Sequence, residues 1–269
     1  MGTDLTHYRR QLAAQAKAAV EQEQLSGGTV LSTRGGTLTY GEETLPGNQA
    51  CVIILDAIKE NTYYADKFDP DNPTAPICYA MGRGPDDDDM APHPSMQEDE
   101  NYFEPQAVAC KGCPMNEWGS ADKGRGKACQ NRRRLSLIPA GSYMPKRGSR
   151  DFDLDLFNDP KDFQQAEIAF LKLPVLSVKE YAKFVNQVAT NFNMPPHGVI
   201  ARVWVEPDPK AQYKVCFEVI ELVPDELLPA VMAKHEEAIN MKYQGYRAPE
   251  ERPPAHTENP RGSLRNIRR

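Results

Sequence analysis

Four of the six cysteines, Cys78, Cys110, Cys113 and Cys129, fall within one stretch of the chain, and two of them form a Cys-x-x-Cys pair. This spacing constrains the fold more than any other feature, because two thiolates so placed can face one metal ion from a tight turn. Gly112 inside the pair supplies the backbone freedom that such a turn needs. Tetrahedral zinc takes two further ligands. Cys129 immediately precedes an expected strand starting at Arg132, and Cys78 lies on another short strand. The expected site is a structural Zn2+ held by Cys78, Cys110, Cys113 and Cys129, with His93 as the other candidate for the place of Cys78. A cysteine-only donor set favours zinc over other first-row metals. The competing readings are reduced thiols without metal and a redox pair. A redox Cys-x-x-Cys normally opens a helix after a buried strand, whereas this one sits among Gly, Pro, Lys and Asn. Cys51 and Cys216 lie in apolar runs and read as buried thiols.

Zinc chemistry of the catalytic kind is not expected. Zinc deaminases pair Pro-Cys-x-x-Cys with an upstream His-x-Glu or Cys-x-Glu, but Ala109 precedes Cys110 and no Glu follows Cys78 or His93 at that spacing. Four thiolates also leave no open position for water. The run Gly124-Arg125-Gly126-Lys127 lacks the rest of a phosphate-binding loop. The chain reads as a non-enzyme.

With 269 residues, 40% of them apolar, the chain can bury a real core. Residues 4–24 read as a helix capped by Asp4 and ended by Gly27-Gly28. Short strands are expected at Thr29–Ser32 and Thr37–Tyr40, turning at Gly35-Gly36. Residues 50–64, ACVIILDAIKENTYY, form the clearest strand, first continuously apolar and then alternating. Further strands are expected at Ile77–Ala80 and Arg132–Ile138, with a loop from Pro139 to Ser149. In the second half, Ser177 caps a helix to about Asn191, strands span Val199–Glu206 and Tyr213–Leu222, and a last helix spans Pro224–Asn240. The implied organisation is an N-terminal helix (1–26), a β domain (27–150) with an inserted zinc loop (78–131), a helix-strand-strand-helix extension packed on it (151–244), and a polar, Pro-bearing tail (245–269) that reads as disordered. No segment nears the roughly 20 apolar residues of a membrane span. No signal peptide is evident, and Gly2 with Thr6 matches a myristoylation pattern only by chance. A soluble, intracellular protein without membrane partners is expected.

The net charge of −6 gives no global sign of nucleic-acid binding, but the charge is unevenly spread. From Lys111 to Arg134 seven cations (Lys111, Lys123, Arg125, Lys127, Arg132, Arg133 and Arg134) stand against Glu117 and Asp122. Just upstream lies the acidic run Asp86-Asp87-Asp88-Asp89. Cations on a braced loop beside aromatic rings suit single-stranded nucleic acid, since cations neutralise phosphates and ring faces stack bases. Tyr63, Tyr64 and Trp118 are the expected stacking residues, and Phe68 and Tyr79 lie nearby. The plain alternative is a solvated basic face over core aromatics.

The strings CVIILDAIKENTYYADKFDPDNPTAPICYAMGR and CKGCPMNEWGSADKGRGKACQNRRRLSLI resemble a group of tailed-phage zinc-containing single-stranded-DNA-binding proteins. The resemblance covers residues 50–140 and extends more loosely to the second half. A more distant similarity is to the single-stranded-DNA-binding protein of T-even-type phages, which carries zinc in a loop on an oligonucleotide-binding barrel. The resemblance implies the metal role of Cys78, Cys110, Cys113 and Cys129. One departure is the basic C-terminus RGSLRNIRR, where such proteins carry an acidic partner-recruiting tail.

The expected fold is therefore α+β, an oligonucleotide-binding-type β-barrel with an inserted four-cysteine zinc loop and flanking helices. The expected function is sequence-non-specific binding of single-stranded DNA in phage DNA replication or recombination. It would act in the cytoplasm of the infected bacterial host, with phage or host replication proteins as further partners. The alternative is a zinc-ribbon adaptor that binds a polymerase or other host protein.

Overall fold

The computed structural model describes residues 29–41, 43–65, 75–83, 90–100, 102–122, 124–209, 211–241 and 245–246. The expected helix at 4–24, the acidic run 86–89, Phe68 and Lys123 lie outside the described residues, as does the tail from 247. The fold is mixed α+β, a curled antiparallel sheet forming a half-barrel with a few helices packed on it.

Strands β1 (Leu31–Ser32), β2 (Thr39–Tyr40) and β3 (Glu43–Thr44) make a small antiparallel sheet. The β1–β2 turn falls at Gly35-Gly36, both with positive φ, as the sequence suggests. The main sheet is built on two long strands, β4 (Gln49–Tyr63) and β6 (Gln130–Pro145), paired antiparallel from Cys51–Gly141 to Thr62–Gln130. β5 (Cys78–Gly82) pairs with the far end of β4. β7 (Phe152–Leu156) and β8 (Ala169–Leu173) take opposite ends of the free edge of β6. β9 (Val199–Asp208) pairs with the start of β4 and carries β10 (Gln212–Leu222). Two register shifts between β4 and β6, at Cys51/Val52 and Ile54/Asp56, add the local bend and twist that curl the sheet.

The first half of β4 is continuously apolar because both of its faces are covered. Ala50, Val52 and Ile54 enter one core with Leu135, Leu137, Leu171 and Val203, under helix α2 (Val178–Phe192; α1 is Pro160–Gln165). Cys51, Ile53 and Leu55 enter a second core with Ile138, Phe163 and Val231, under α1 and α3 (Leu228–Asn240). Cys51 and Cys216 are both buried. A third, small cluster of Tyr79, Met96 and Phe103 packs with Cys78, Tyr102 and Tyr246 beside β5.

Several elements depart from the sequence reading. Residues 139–145 are strand, not loop. Pro139 lies opposite Val52 at the bulge, where the ladder is already interrupted. Gly141 is required because a Cβ there would meet the Asp155 carbonyl oxygen at 2.6 Å. Strands β7 and β8 and the short helix α1 were not expected. Ser177 does not cap α2; its Oγ accepts a hydrogen bond from Val215 N at 3.0 Å. Strands β7, β8 and β9, from the stretch expected as an extension, lie in the same sheet as β4 and β6. Tyr246, read as part of the tail, is docked against Tyr79 with ring centroids 5.0 Å apart. Among the described residues no helix is long and apolar enough to cross a membrane.

Candidate functional site

The cysteine loop is held by side chains that the sequence reading quoted but gave no role. Asn116, buried in the loop, donates to the Cys110 carbonyl at 3.1 Å, and its Oδ1 accepts from Lys127 Nζ at 3.2 Å and from Asn131 Nδ2 at 2.9 Å. Asn131 also donates to Asn61 Oδ1 at 2.7 Å, which ties the loop to β4 and β6. Ser120 Oγ donates to the Met115 carbonyl and accepts from Ala128 N. Cys129 N donates to the Met115 carbonyl at 2.7 Å. The Cys110–Cys113 turn closes through Cys113 N to the Cys110 carbonyl at 3.3 Å, and Gly112 takes φ +71°.

This scaffold brings Cys78, Cys110, Cys113 and Cys129 to the wall of one cavity of about 20 Å3, shared with Asn61, Tyr63 and Asn116. That volume suits a single water-sized occupant. Burial pushes the Cys129 thiol up to about 12, and Cys110, Cys78 and Cys113 push the same way against Lys127. Burial also raises Cys78, with Cys113 adding to the effect and a backbone hydrogen bond from Gln106 opposing it. Among the described residues no group of three or more His, Cys, Asp or Glu side chains is drawn together as metal ligands are. His93, the other candidate ligand, is not on that cavity wall. Its Nδ1 is engaged by Ser95 Oγ at 2.9 Å, and its ring stacks on Tyr79.

Between the cysteine loop and the β1 hairpin runs a groove of about 1290 Å3. Among the described residues four cations, Arg34, Lys127, Arg132 and Lys172, line it against one carboxylate, Asp122. Tyr63, Tyr64 and Tyr213 line it as well. Of the expected nucleic-acid residues, the groove thus collects Tyr63, Tyr64, Lys127 and Arg132. Trp118 is not among the lining residues; it is 79% exposed, and Lys127 Nζ, which lines the groove, lies 5.8 Å from its ring centroid. Lys111 and Arg125 are on the loop outside the groove. Arg133, on the other face of β6, bonds through Nη1 to the Arg132 carbonyl.

Arg134, also among the expected nucleic-acid residues, has a structural partner and is not among the groove-lining residues. Its guanidinium pairs with Glu60, which is fully buried, and Lys172 Nζ reaches the other carboxylate oxygen at 3.0 Å. Tyr246 donates to the same carboxylate at 2.9 Å. Burial raises the Glu60 carboxyl, but Lys172 and Arg134 outweigh it and hold the group below the usual carboxylate range. Sequence reasoning missed Arg34, Lys172 and Tyr213, which reach the groove from distant segments. The one available signal was a lysine inside the alternating apolar strand AFLKL. No protein-family model, curated protein or solved structure matches this chain.

Proposed function

We propose that this chain binds single-stranded DNA along the groove beside the cysteine loop, without sequence preference and without chemistry of its own. The observation that carries the reading is the groove lining, which among the described residues is four cations and three tyrosines against a single carboxylate. Cations along a channel neutralise the backbone, and every base has a face that an aromatic ring can stack on. The exposed Trp118, next to the groove-lining Lys127, is a further stacking surface. The curled sheet is consistent with an oligonucleotide-binding-type barrel, with the cysteine loop inserted between β5 and β6. The setting we propose is phage DNA replication or recombination in the cytoplasm of the infected host, where phage or host replication proteins are further partners.

We also infer that Cys78, Cys110, Cys113 and Cys129 hold a structural zinc ion. The donor set suits zinc, the turn at Gly112 suits a thiolate pair, and the shared cavity has the scale of one small occupant. Bound zinc would supply the positive charge that lets these buried and half-buried thiols ionise, and would brace the loop that forms one wall of the groove.

The test is fluorescence anisotropy of labelled oligo(dT) and of a duplex at two salt concentrations. Tight, steeply salt-dependent binding of the single strand supports the reading. Absence of binding at low salt, with salt-insensitive capture of a polymerase, would replace it with the adaptor.

A further inference from the structure

The floor of the groove carries more positive charge than the fold uses. Arg132 lies opposite Glu60 across β4 and β6, and Lys172 lies opposite Arg134 across β6 and β8. Three cations therefore surround one buried carboxylate. Glu60 forms ion pairs with Arg134 and Lys172, and no ion pair joins Arg132 to a carboxylate among the described residues. One terminal nitrogen of Arg132 meets Gln130, while its Nε is buried without a hydrogen-bond partner among the described residues. A buried, unpartnered donor on a cation is costly unless an anion completes it. Burial lowers the Lys172 ammonium, Glu60 opposes that, and Arg132 and Arg134 add smaller lowering contributions, which places all three cations within electrostatic reach of one another. Of the three cations only Arg132 and Lys172 line the groove.

We propose that Arg132 and Lys172 form a seat for one phosphate group of a nucleic-acid strand on the floor of this groove. The proposal rests on the reading of the groove as a single-strand site, and it adds Lys172 to the contact set. It also gives the bound strand an orientation, with one phosphate inward between β6 and β8.

The test compares the parent with Lys172→Gln, Arg132→Gln and Lys172→Arg, each checked for folding by circular dichroism. The probes are oligo(dT) with and without a 5′-phosphate, over a salt series. Each glutamine variant should bind roughly tenfold more weakly or worse, with a salt slope reduced by about 0.7. Lys172→Arg keeps the charge and should retain most of the affinity. Equal losses on both oligonucleotides identify an internal phosphodiester as the occupant; loss of a 5′-phosphate advantage identifies the terminal group. Parental affinity and slope in Lys172→Gln would overturn the seat. If the parent binds no strand, the single-strand reading falls and pyrophosphate decides the seat. A rise in melting temperature in the parent but not in Lys172→Gln would then sustain it, and no rise in the parent would overturn it.

Discussion

Glu60→Gln is the substitution that most directly tests how the groove floor is held. The carboxylate is fully buried and engages Arg134, Lys172 and Tyr246. Removing its charge leaves Arg134 and Lys172, with Arg132 nearby, without their counter-ion. Breaking a buried ion pair from one side costs about 3–5 kcal/mol. The lower end applies here, because the amide keeps the shape and one acceptor, and because the Lys172 side chain is 32% exposed. A loss of about 3 kcal/mol lowers the melting temperature of a domain this size by roughly 6–12 °C. The effect carries a pH signature. Glu60 titrates below the usual range, so its stabilisation is complete above its unfolded value of about 4.3 and is lost as pH falls through the lower folded value. The gap between parent and variant should be constant from neutrality down to about that pH and close below it. Calorimetry across a pH series measures both quantities. A variant melting within about 2 °C of the parent at neutral pH, or a gap that widens in acid, would refute the reasoning.

Elemental analysis of protein prepared without chelators should find about one zinc per chain. Cys113→Ser should abolish it and Cys216→Ser should not, since Cys216 lies in β10. Trp118→Ala should weaken oligo(dT) binding by about 1–3 kcal/mol with little change in salt slope. Because Trp118 is 79% exposed, zinc content and melting temperature should stay at parental values; loss of either would mean that the ring braces the loop. Gly141→Ala should destabilise by about 1–3 kcal/mol, as the added methyl would press on the Asp155 carbonyl, and a parental denaturant midpoint would show that β7 yields freely.

What could be read from the sequence follows the range over which each signal acts. β4 was legible because burial on both faces writes itself into consecutive residues, and the β9–β10 hairpin because its period and its turn are local. The second half of β6 was hidden by Pro139 and Gly141, ordinary strand breakers that are tolerated at a bulge and beneath a neighbouring carbonyl. The five-residue strand β8 pairs with residues of β6 more than thirty positions back, so no local turn announced it, whereas β7 folds back on the end of β6 across the turn at 146–151, which the sequence reading took as part of a loop. The four cysteines were legible from spacing, and the structure brings all four to one cavity wall. The groove was legible only in part. Its loop side lay in one charged segment, whereas Arg34, Lys172 and Tyr213 arrive through tertiary pairing. Arg134 looked like its neighbours until Glu60, across the sheet, claimed it.

The pairing of β4 with β6 bears on how the chain reaches this structure. Thr62 and Gln130 face each other although 68 residues separate them, so the central ribbon cannot zip up from a turn. Closing a loop of that length costs on the order of 4 kcal/mol of chain entropy before any ladder bond repays it. By contrast, β9 and β10 meet across a short turn and can form early. The slow event in folding is then the capture of β6 by β4. Cys78 and Cys129 stand near the two ends of that long loop, so a cross-link between them would shrink the search and speed the capture. Refolding rates with and without added metal would register the difference directly.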